Sequence, residues 1–221
     1  RLRDRGGNLA FAGANAGYWR VRLAETANGP GRRIVCYKSA GLDPRKAAKD
    51  TTARWRDDPH PQPENEVVGM LYDAFPAKGN MRITDPDFFL FEGTGVREGQ
   101  TLLNLVGDES DRYYPREDTP RPIQLPAVSP VTCRGNQTWS TMSYYTTQSG
   151  AGVFATGTMN WTRTLPRTDG STGDKSAKDF VFQVTQNLMR EMAEGPMARR
   201  NPARDDSQRV QLPAHNTSGA A

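Results

Sequence analysis

The second half of the chain contains a succession of short segments that are rich in β-branched and aromatic residues. Three of them cover residues 123–131, 142–148 and 152–161, and an apolar stretch that begins at Thr101 precedes them. Side chains of these types favour the pleated, half-buried surface of a sheet. The segments therefore predict several strands of one sheet.

An amphipathic helix follows these segments. Between Asp179 and Glu194, large apolar side chains recur at every fourth position and so share one helix face: Phe180, Val184, Leu188 and Met192. Gly195 and Pro196 end the helix. Beyond them the chain has almost no large apolar residue, so we expect one domain over residues 1–195 and a disordered polar tail over residues 196–221.

The first half of the chain predicts an alternation of strand and helix. NLAFAGAN at 8–15 is typical of a buried strand that leads into a tight turn, Ala16–Glu25 suits a helix, and RRIVCYK at 32–38 suits a second strand. This order indicates an α/β protein with an open sheet. The charged opening RLRDRGG resembles the last turn of a helix closed by glycine. We therefore expect the chain to be the carboxy-terminal part of a longer protein, with a sheet that is incomplete at its amino-terminal side.

Composition excludes several classes of protein. With 221 residues, of which 35% are hydrophobic, the chain can bury the core of one domain. Its 29 basic and 25 acidic residues leave a net charge of only +4, partly located in the tail, which does not indicate nucleic acid binding. The apolar runs are far shorter than the roughly 20 residues of a membrane span. No membrane segment is expected.

The two cysteines bear on the cellular compartment. Cys36 and Cys133 are far apart in the sequence, and each adjoins a strand-like segment. Reduced, buried thiols are favoured and indicate a cytoplasmic protein. A disulfide between them would instead indicate a secreted protein, related to carbohydrates, and this alternative stays open.

The sequence contains no convincing cofactor motif. His60 and His215 lack a second ligand at metal-binding spacing. The Gly-x-Gly pair in EGTGVREG at 92–99 lacks the third glycine of a dinucleotide site. GSTGDKS at 170–176 is not preceded by a strand, as a phosphate-binding loop would be, and Ser149 lacks the G-x-S-x-G pattern of a nucleophile. We expect neither a metal site nor a cofactor site within this chain.

An acidic group forms the best candidate site. Asp108, Glu109 and Asp111 directly follow an apolar strand, where open α/β sheets place ligand-binding side chains. The alternative is a turn held together by ion pairs with Arg112. Residue types alone favour that alternative, because charge clusters at strand ends are common.

Several long segments together resemble a known family. They are NLAFAGANAGYWRVRL, RRIVCYK with a later TTARWRD, PENEVVGMLY, TDPDFFLFEGTGVREGQTLLNLVGDESDR and MSYYTTQSGAGVFATGTMNW. In this order they resemble the carboxy-terminal region of the N,N-dimethylformamidase large (beta) subunit family. The resemblance extends from about Arg1 to Glu194 and leaves out only the tail.

The resemblance implies a fold and a reaction. It implies an open three-layer sheet of the class I glutamine-amidotransferase-like (flavodoxin-like) type, and hydrolysis of a small amide to an amine and a carboxylate at an iron ion. The family's iron ligands, tyrosines and a glutamate, lie upstream of the segment that matches NLAFAGAN. We therefore expect iron in the longer parent protein and none bound by this segment alone.

One acidic position of the family pattern falls inside this chain. The pattern Gly-Tyr-Glu-x-Asp-Arg aligns with the segment from Gly107 to Arg112, which makes Glu109 the candidate catalytic residue. A carboxylate there can accept a proton from a metal-activated water or orient it. Asp108 replaces the family's tyrosine, which changes the local pocket.

Two functions remain in competition. The first is a metal-dependent amidohydrolase of which this chain, inactive alone, supplies one wall of the active site; it predicts that Glu109 faces a cleft. The second is a non-catalytic amidotransferase-like binding or assembly module; it predicts that Glu109 pairs with Arg112. The expected partners are a small amide substrate, the upstream part of the polypeptide, and a small subunit or a second copy of the chain.

Overall fold

The computed structural model of the protein describes residues 1–46, 49–165 and 174–208. Its strands are β1 (Leu9–Phe11), β2 (Arg22–Thr26), β3 (Gly29–Val35), β4 (Leu71–Arg82), β5 (Thr101–Arg112), β6 (Ile123–Cys133), β7 (Asn136–Thr146) and β8 (Gly152–Ala155). Its helices are α1 (Asn65–Val68), α2 (Asn160–Thr164) and α3 (Lys175–Ala193), with single 3₁₀ turns at Arg3–Arg5, Phe89–Phe91 and Met197–Arg199.

Six of the described strands form one mixed sheet in the order β1-β8-β7-β6-β4-β5. β1 and β8 run parallel, and the other neighbouring pairs run antiparallel. The sheet curls into a half-barrel and is accompanied by few helices. The α/β class is therefore confirmed, while the three-layer arrangement of the amidotransferase-like type stays a prediction.

The segment after β8 connects the two ends of this sheet. Ser110 of β5 forms an antiparallel bridge with Thr158. On either side of it, the Asp111 N–H donates to the Gly157 carbonyl at 3.0 Å, and the Met159 N–H donates to the Glu109 carbonyl at 3.2 Å. These hydrogen bonds bring the carboxyl-terminal part of the edge strand β5 against the segment that follows β8.

The core lies between the sheet and α3. Asp174 begins this helix by accepting a hydrogen bond from the Ala177 N–H at 2.8 Å, a typical N-cap. The predicted apolar face is confirmed, because its side chains are buried against the sheet and the 3₁₀ turn at Phe89–Phe91: Phe180, Val184 and Leu188. Burial of each contributes roughly 2 kcal/mol. No helix in the described ranges is both long and apolar enough to cross a membrane.

The predicted helix over Ala16–Glu25 is wrong. Its second half is β2, which pairs with β3 in a hairpin and places Leu23 opposite Ile34. Asn28 lies in the turn between the strands, and Gly29, the first residue of β3, has a φ of +112° that suits glycine. An Asn-Gly pair at the turn between two strands is a strong hairpin signal, and it overrides the moderate helix propensity of the segment.

The loop after the hairpin is fixed by a buried carboxylate. Asp43 pairs with Arg22 of β2 at 3.0 Å and accepts hydrogen bonds from the Thr52 N–H and hydroxyl at 2.8 and 2.7 Å. The Arg22 guanidinium holds the pKa of Asp43 well below its usual range, against the effect of desolvation. Nearby, Cys36 is a free, partly buried thiol, as is Cys133 at the end of β6.

The first part of the predicted tail contacts the sheet. Met197 is buried, the Ala198 N–H donates to the Gly150 carbonyl at 3.0 Å, and Asp206 accepts a hydrogen bond from the Leu125 N–H at 2.8 Å. Composition gives no sign of these contacts, because most of them use backbone atoms. Residues 209–221, with His215, lie outside the described residues.

Candidate active site

The acidic group lies inside a strand and not after one. β5 continues to Arg112 because β4 pairs with it along its whole length, with Tyr72 opposite Asp111 and Leu71 opposite Arg112. A register shift occurs near Asp108, whose φ of +62° lies in the left-handed region. The prediction that the acidic group follows the strand is therefore wrong, because the pairing with β4 continues the strand through these residues.

Three segments meet around Glu109 and Asp111. The Asn15 N–H, in the turn after β1, donates to Asp111 Oδ1 at 2.8 Å. Because β1 and β8 are parallel, their carboxyl ends reach this region together. Residues 157–159 then continue along β5. The site is thus built from chain segments that are about 95 and 145 residues distant from Asn15 in the sequence.

Gly157 makes this close approach possible. Its φ is +67°, and a Cβ atom at this position would lie 2.0 Å from the Thr141 carbonyl oxygen. The Gly157 carbonyl accepts hydrogen bonds from both the Asp111 N–H and the Ser140 hydroxyl. Only glycine can occupy a left-handed position in such contact with a neighbouring strand.

The members of the acidic group have different partners. Asp108 forms an ion pair with Arg163 of α2 at 2.6 Å. The Glu109 carboxylate forms no hydrogen bond or ion pair with any residue in the described ranges. Arg112 instead reaches Asp73 at 3.3 Å, and its guanidinium stacks between the rings of Tyr114 and Trp139. The turn held by Arg112, which residue types favoured, is not formed.

Burial and charge perturb the groups beside Glu109. Desolvation raises the pKa of Asp111 to about 7; the Asn15 N–H opposes this rise, and the carboxylates of Glu64 and Glu109 add to it. Burial likewise raises the pKa of Tyr72 to about 12, with a further contribution from Glu109. Asp111 can therefore exchange a proton near neutral pH, whereas Tyr72 keeps its hydroxyl proton and can donate it in a hydrogen bond.

An aromatic and basic wall completes the site. The rings of Tyr18 and Tyr72 meet edge to face with centroids 4.7 Å apart, and the Arg56 guanidinium lies 5.1 Å from the Tyr18 ring. Arg56 also pairs with the buried Glu64, which accepts a hydrogen bond from the Tyr72 N–H at 3.1 Å. Unpaired Glu109 thus adjoins rigid, partly buried neighbours, an arrangement that can bind and polarise a small molecule.

Comparison with known proteins identifies the family. A family model described as N,N-dimethylformamidase beta subunit-like, C-terminal, matches residues 1–175. The chain belongs to this family. A search among curated proteins found no match.

The dimethylformamidase-like match covers all eight strands and the residues of the candidate site. It ends at Lys175, the first residue of α3, whereas the resemblance read from the sequence extends to Glu194. The family resemblance predicted from the sequence segments is thus confirmed. The family description also names a subunit.

Sequence reasoning missed Asn15 in this dimethylformamidase-like site. Asn15 has a φ of +61°, and its side-chain Oδ1 atom is buried without a hydrogen-bond donor among the described residues. A buried, unsatisfied amide oxygen costs about 1–3 kcal/mol, so a bound water or ligand that donates to it would be stabilising. The available signal was the Ala-Asn-Ala-Gly turn after a strand, since asparagine tolerates left-handed backbone.

The described residues contain no group of three or more His, Cys, Asp and Glu side chains that could hold a metal ion. His60 is engaged through its backbone carbonyl, which accepts a hydrogen bond from Arg20 at 2.5 Å.

Proposed function

We propose that the chain is the carboxy-terminal part of an amidohydrolase that cleaves a small amide to an amine and a carboxylate. The observation that carries this proposal is the Glu109 carboxylate, which has no partner among the described residues and adjoins the perturbed Asp111 and Tyr72. Membership of the dimethylformamidase-like family supports the same reaction class. Iron, held by upstream residues of the parent protein, is part of the proposal.

In this proposal Glu109 is the general base. Its carboxylate accepts a proton from a water molecule as the water oxygen attacks the amide carbon. The same carboxylic acid then returns the proton to the amide nitrogen as the carbon–nitrogen bond breaks, which releases the amine. The Tyr72 hydroxyl, which keeps its proton because its pKa is about 12, donates a hydrogen bond to the oxygen that becomes negative.

The position of β1 supports the proposed amidotransferase-like architecture. β1 forms one edge of the described sheet, and it is parallel to its neighbour β8. A preceding strand–helix unit can therefore pair with the free edge of β1 and continue a parallel sheet. We propose that upstream residues do so and complete a three-layer domain. The free thiols Cys36 and Cys133 support a cytoplasmic protein.

The test compares Glu109→Gln with a matched change elsewhere. In the full-length protein we expect Glu109→Gln to lower kcat for formamide hydrolysis by about 10²–10⁴-fold, with the iron content unchanged. Glu98→Gln, the same change at an exposed turn, should retain the parental activity and iron content. A parent protein that binds no metal and cleaves no formamide would refute the hydrolase.

The second function, an assembly module, is favoured by the hairpin of β2 and β3. Leu23 and Ile34 lie directly opposite each other and are 63% and 71% exposed. Two large apolar side chains exposed side by side are typical of a protein interface. An inactive parent protein that nevertheless assembles through this hairpin, with a small subunit or a second copy, would establish this function instead.

A further inference from the structure

A cavity opens beside β5, and Glu109 is not among its described lining residues. Its volume is about 700 Å³, within the range of sites for small organic molecules. The side chains that matter for its chemistry come from β4, β5, β6, the turn after β6, and α2: Lys78, Asp108, Thr132, Arg134, Asn160 and Arg163.

Strand register brings several of these groups to one face. Lys78 of β4 is paired with Gly107 of β5 on one side and with Thr132 of β6 on the other. Residues directly opposite each other on antiparallel strands project from the same face. Arg134 follows in the turn between β6 and β7, where its φ of +50° and that of Gly135, +83°, form a tight hairpin. The cavity therefore has one cation on β4 and one in the turn that follows the neighbouring strand β6.

The charges of the cavity do not balance. Among the described residues of the lining, Asp108 is the only acidic one, and it is paired with Arg163 at 2.6 Å. Lys78 and Arg134 form no ion pair with any residue in the ranges that the structure describes. Three cations and one carboxylate leave an excess of two positive charges in a concave, partly enclosed space, which concentrates anions.

The floor of the cavity is fixed by close packing. A Cβ atom on Gly107 would lie 2.3 Å from Asn160 Nδ2, so glycine is needed to admit this amide. Asn160 Nδ2 in turn donates to the Asn104 carbonyl at 3.0 Å. Pro76 and Val106 provide apolar surface next to the cations. This arrangement suits a ligand with one charged end and one apolar end.

We propose that this cavity binds a small organic molecule through a phosphate or carboxylate group, held by Lys78 and Arg134. Arg163 is oriented by Asp108 and provides the third positive group. The proposal is independent of amide hydrolysis, because it uses none of the residues assigned to that reaction.

The test is isothermal titration calorimetry of the full-length protein at low ionic strength, with inorganic phosphate and acetate as separate probes. We expect saturable binding of at least one probe, and the stronger one identifies the anionic group. Lys78→Met with Arg134→Met should weaken binding about tenfold or more, since each removes a charge-assisted hydrogen bond. Asp108→Asn should strengthen binding, because it removes the negative charge that repels the anion.

A matched double variant separates this site from general surface charge. Arg32→Met with Arg97→Met also removes two exposed cations, but outside the cavity, and should leave the affinity within about twofold. Equal weakening by both double variants, or no saturable binding of either probe, would overturn the proposal. So would binding of an oligonucleotide or acidic peptide in place of both small anions. The gain in affinity expected for Asp108→Asn cannot arise from misfolding, so an unchanged or lower affinity of this variant would also count against the proposal.

Discussion

Asp111 should make the folded protein less stable as the pH rises from 5 to 8. Its pKa is 3.8 as a free side chain and about 7 in the folded protein. Between these values the folded state binds a proton that the unfolded state has lost, so stability falls with increasing pH. The loss is complete once the pH exceeds the folded pKa. The groups around Asp111 are Asn15, Arg56, Glu64 and Glu109.

The magnitude follows from the width of this window. From pH 5 to the folded pKa of about 7 is roughly two pH units, and each unit corresponds to about 1.36 kcal/mol. The Asp111 carboxyl should therefore lower the free energy of unfolding by about 3 kcal/mol between pH 5 and pH 8. Such a loss is a large fraction of a typical total of about 5–15 kcal/mol.

Asp111→Asn tests this reasoning because asparagine keeps an oxygen that can accept the Asn15 N–H but carries no charge. Denaturant unfolding of the wild type and the variant is measured at pH 5 and pH 8. We expect the stability of the variant relative to the wild type to increase by about 3 kcal/mol between the two values. The reasoning is refuted if the two proteins respond to pH in parallel.

Two other carboxyl groups with shifted pKa values do not affect the comparison of the wild type with Asp111→Asn. Burial raises the pKa of Asp206 to about 6, so its contribution has the same sign, but it is present in both proteins and cancels. Asp43 has a lowered pKa, and its stabilisation is lost only as the pH falls below its unfolded value of 3.8. Its window lies outside the measured range.

Two further predictions concern packing and assembly. Gly157→Ala should lower the free energy of unfolding by about 3 kcal/mol, because the new Cβ would lie 2.0 Å from the Thr141 carbonyl oxygen. The control is Gly135→Ala, at a left-handed turn with open space around it. This change should lower the free energy of unfolding by only about 1 kcal/mol in the same denaturant measurement. Equal losses of stability in the two variants would contradict the close approach of Gly157 to the Thr141 carbonyl oxygen. Leu23→Ser with Ile34→Ser should reduce assembly of the full-length protein in light-scattering measurements without lowering its thermal stability, and an unchanged mass would exclude the hairpin as an interface.

Local patterns predicted some elements correctly and others not, for identifiable reasons. The face of α3 was predictable because four apolar residues at helical spacing have one favourable arrangement, against a sheet. The segment of β2 was misassigned because its alternation is weak, and the decisive signal is the turn at Asn28 and Gly29. The continuation of β5 through Asp108–Arg112 depends on β4 and on residues 157–159, which no local pattern reveals.

The candidate site was predictable only in part, for the same reason. Glu109 could be selected from the sequence, because the whole family pattern aligns with one short segment that also contains Asp111. Asn15 and Tyr72 join it only through the strand pairing, and their sequence positions give no indication of proximity. The family pattern also gave no role to Asp108, which lines a cavity whose described lining does not include Glu109.

The parallel pairing of β1 with β8 explains why a largely antiparallel sheet has a site at this place. An antiparallel neighbour would direct the chain after β1 to the opposite end of β8. Parallel pairing instead brings the turn that contains Asn15 to the same end as residues 157–159, and both reach β5 there. Glu109 and Asp111 project from the strand that receives both segments. A change that weakens the β1–β8 pair should therefore release Asn15 from Asp111 while leaving the antiparallel hairpins intact.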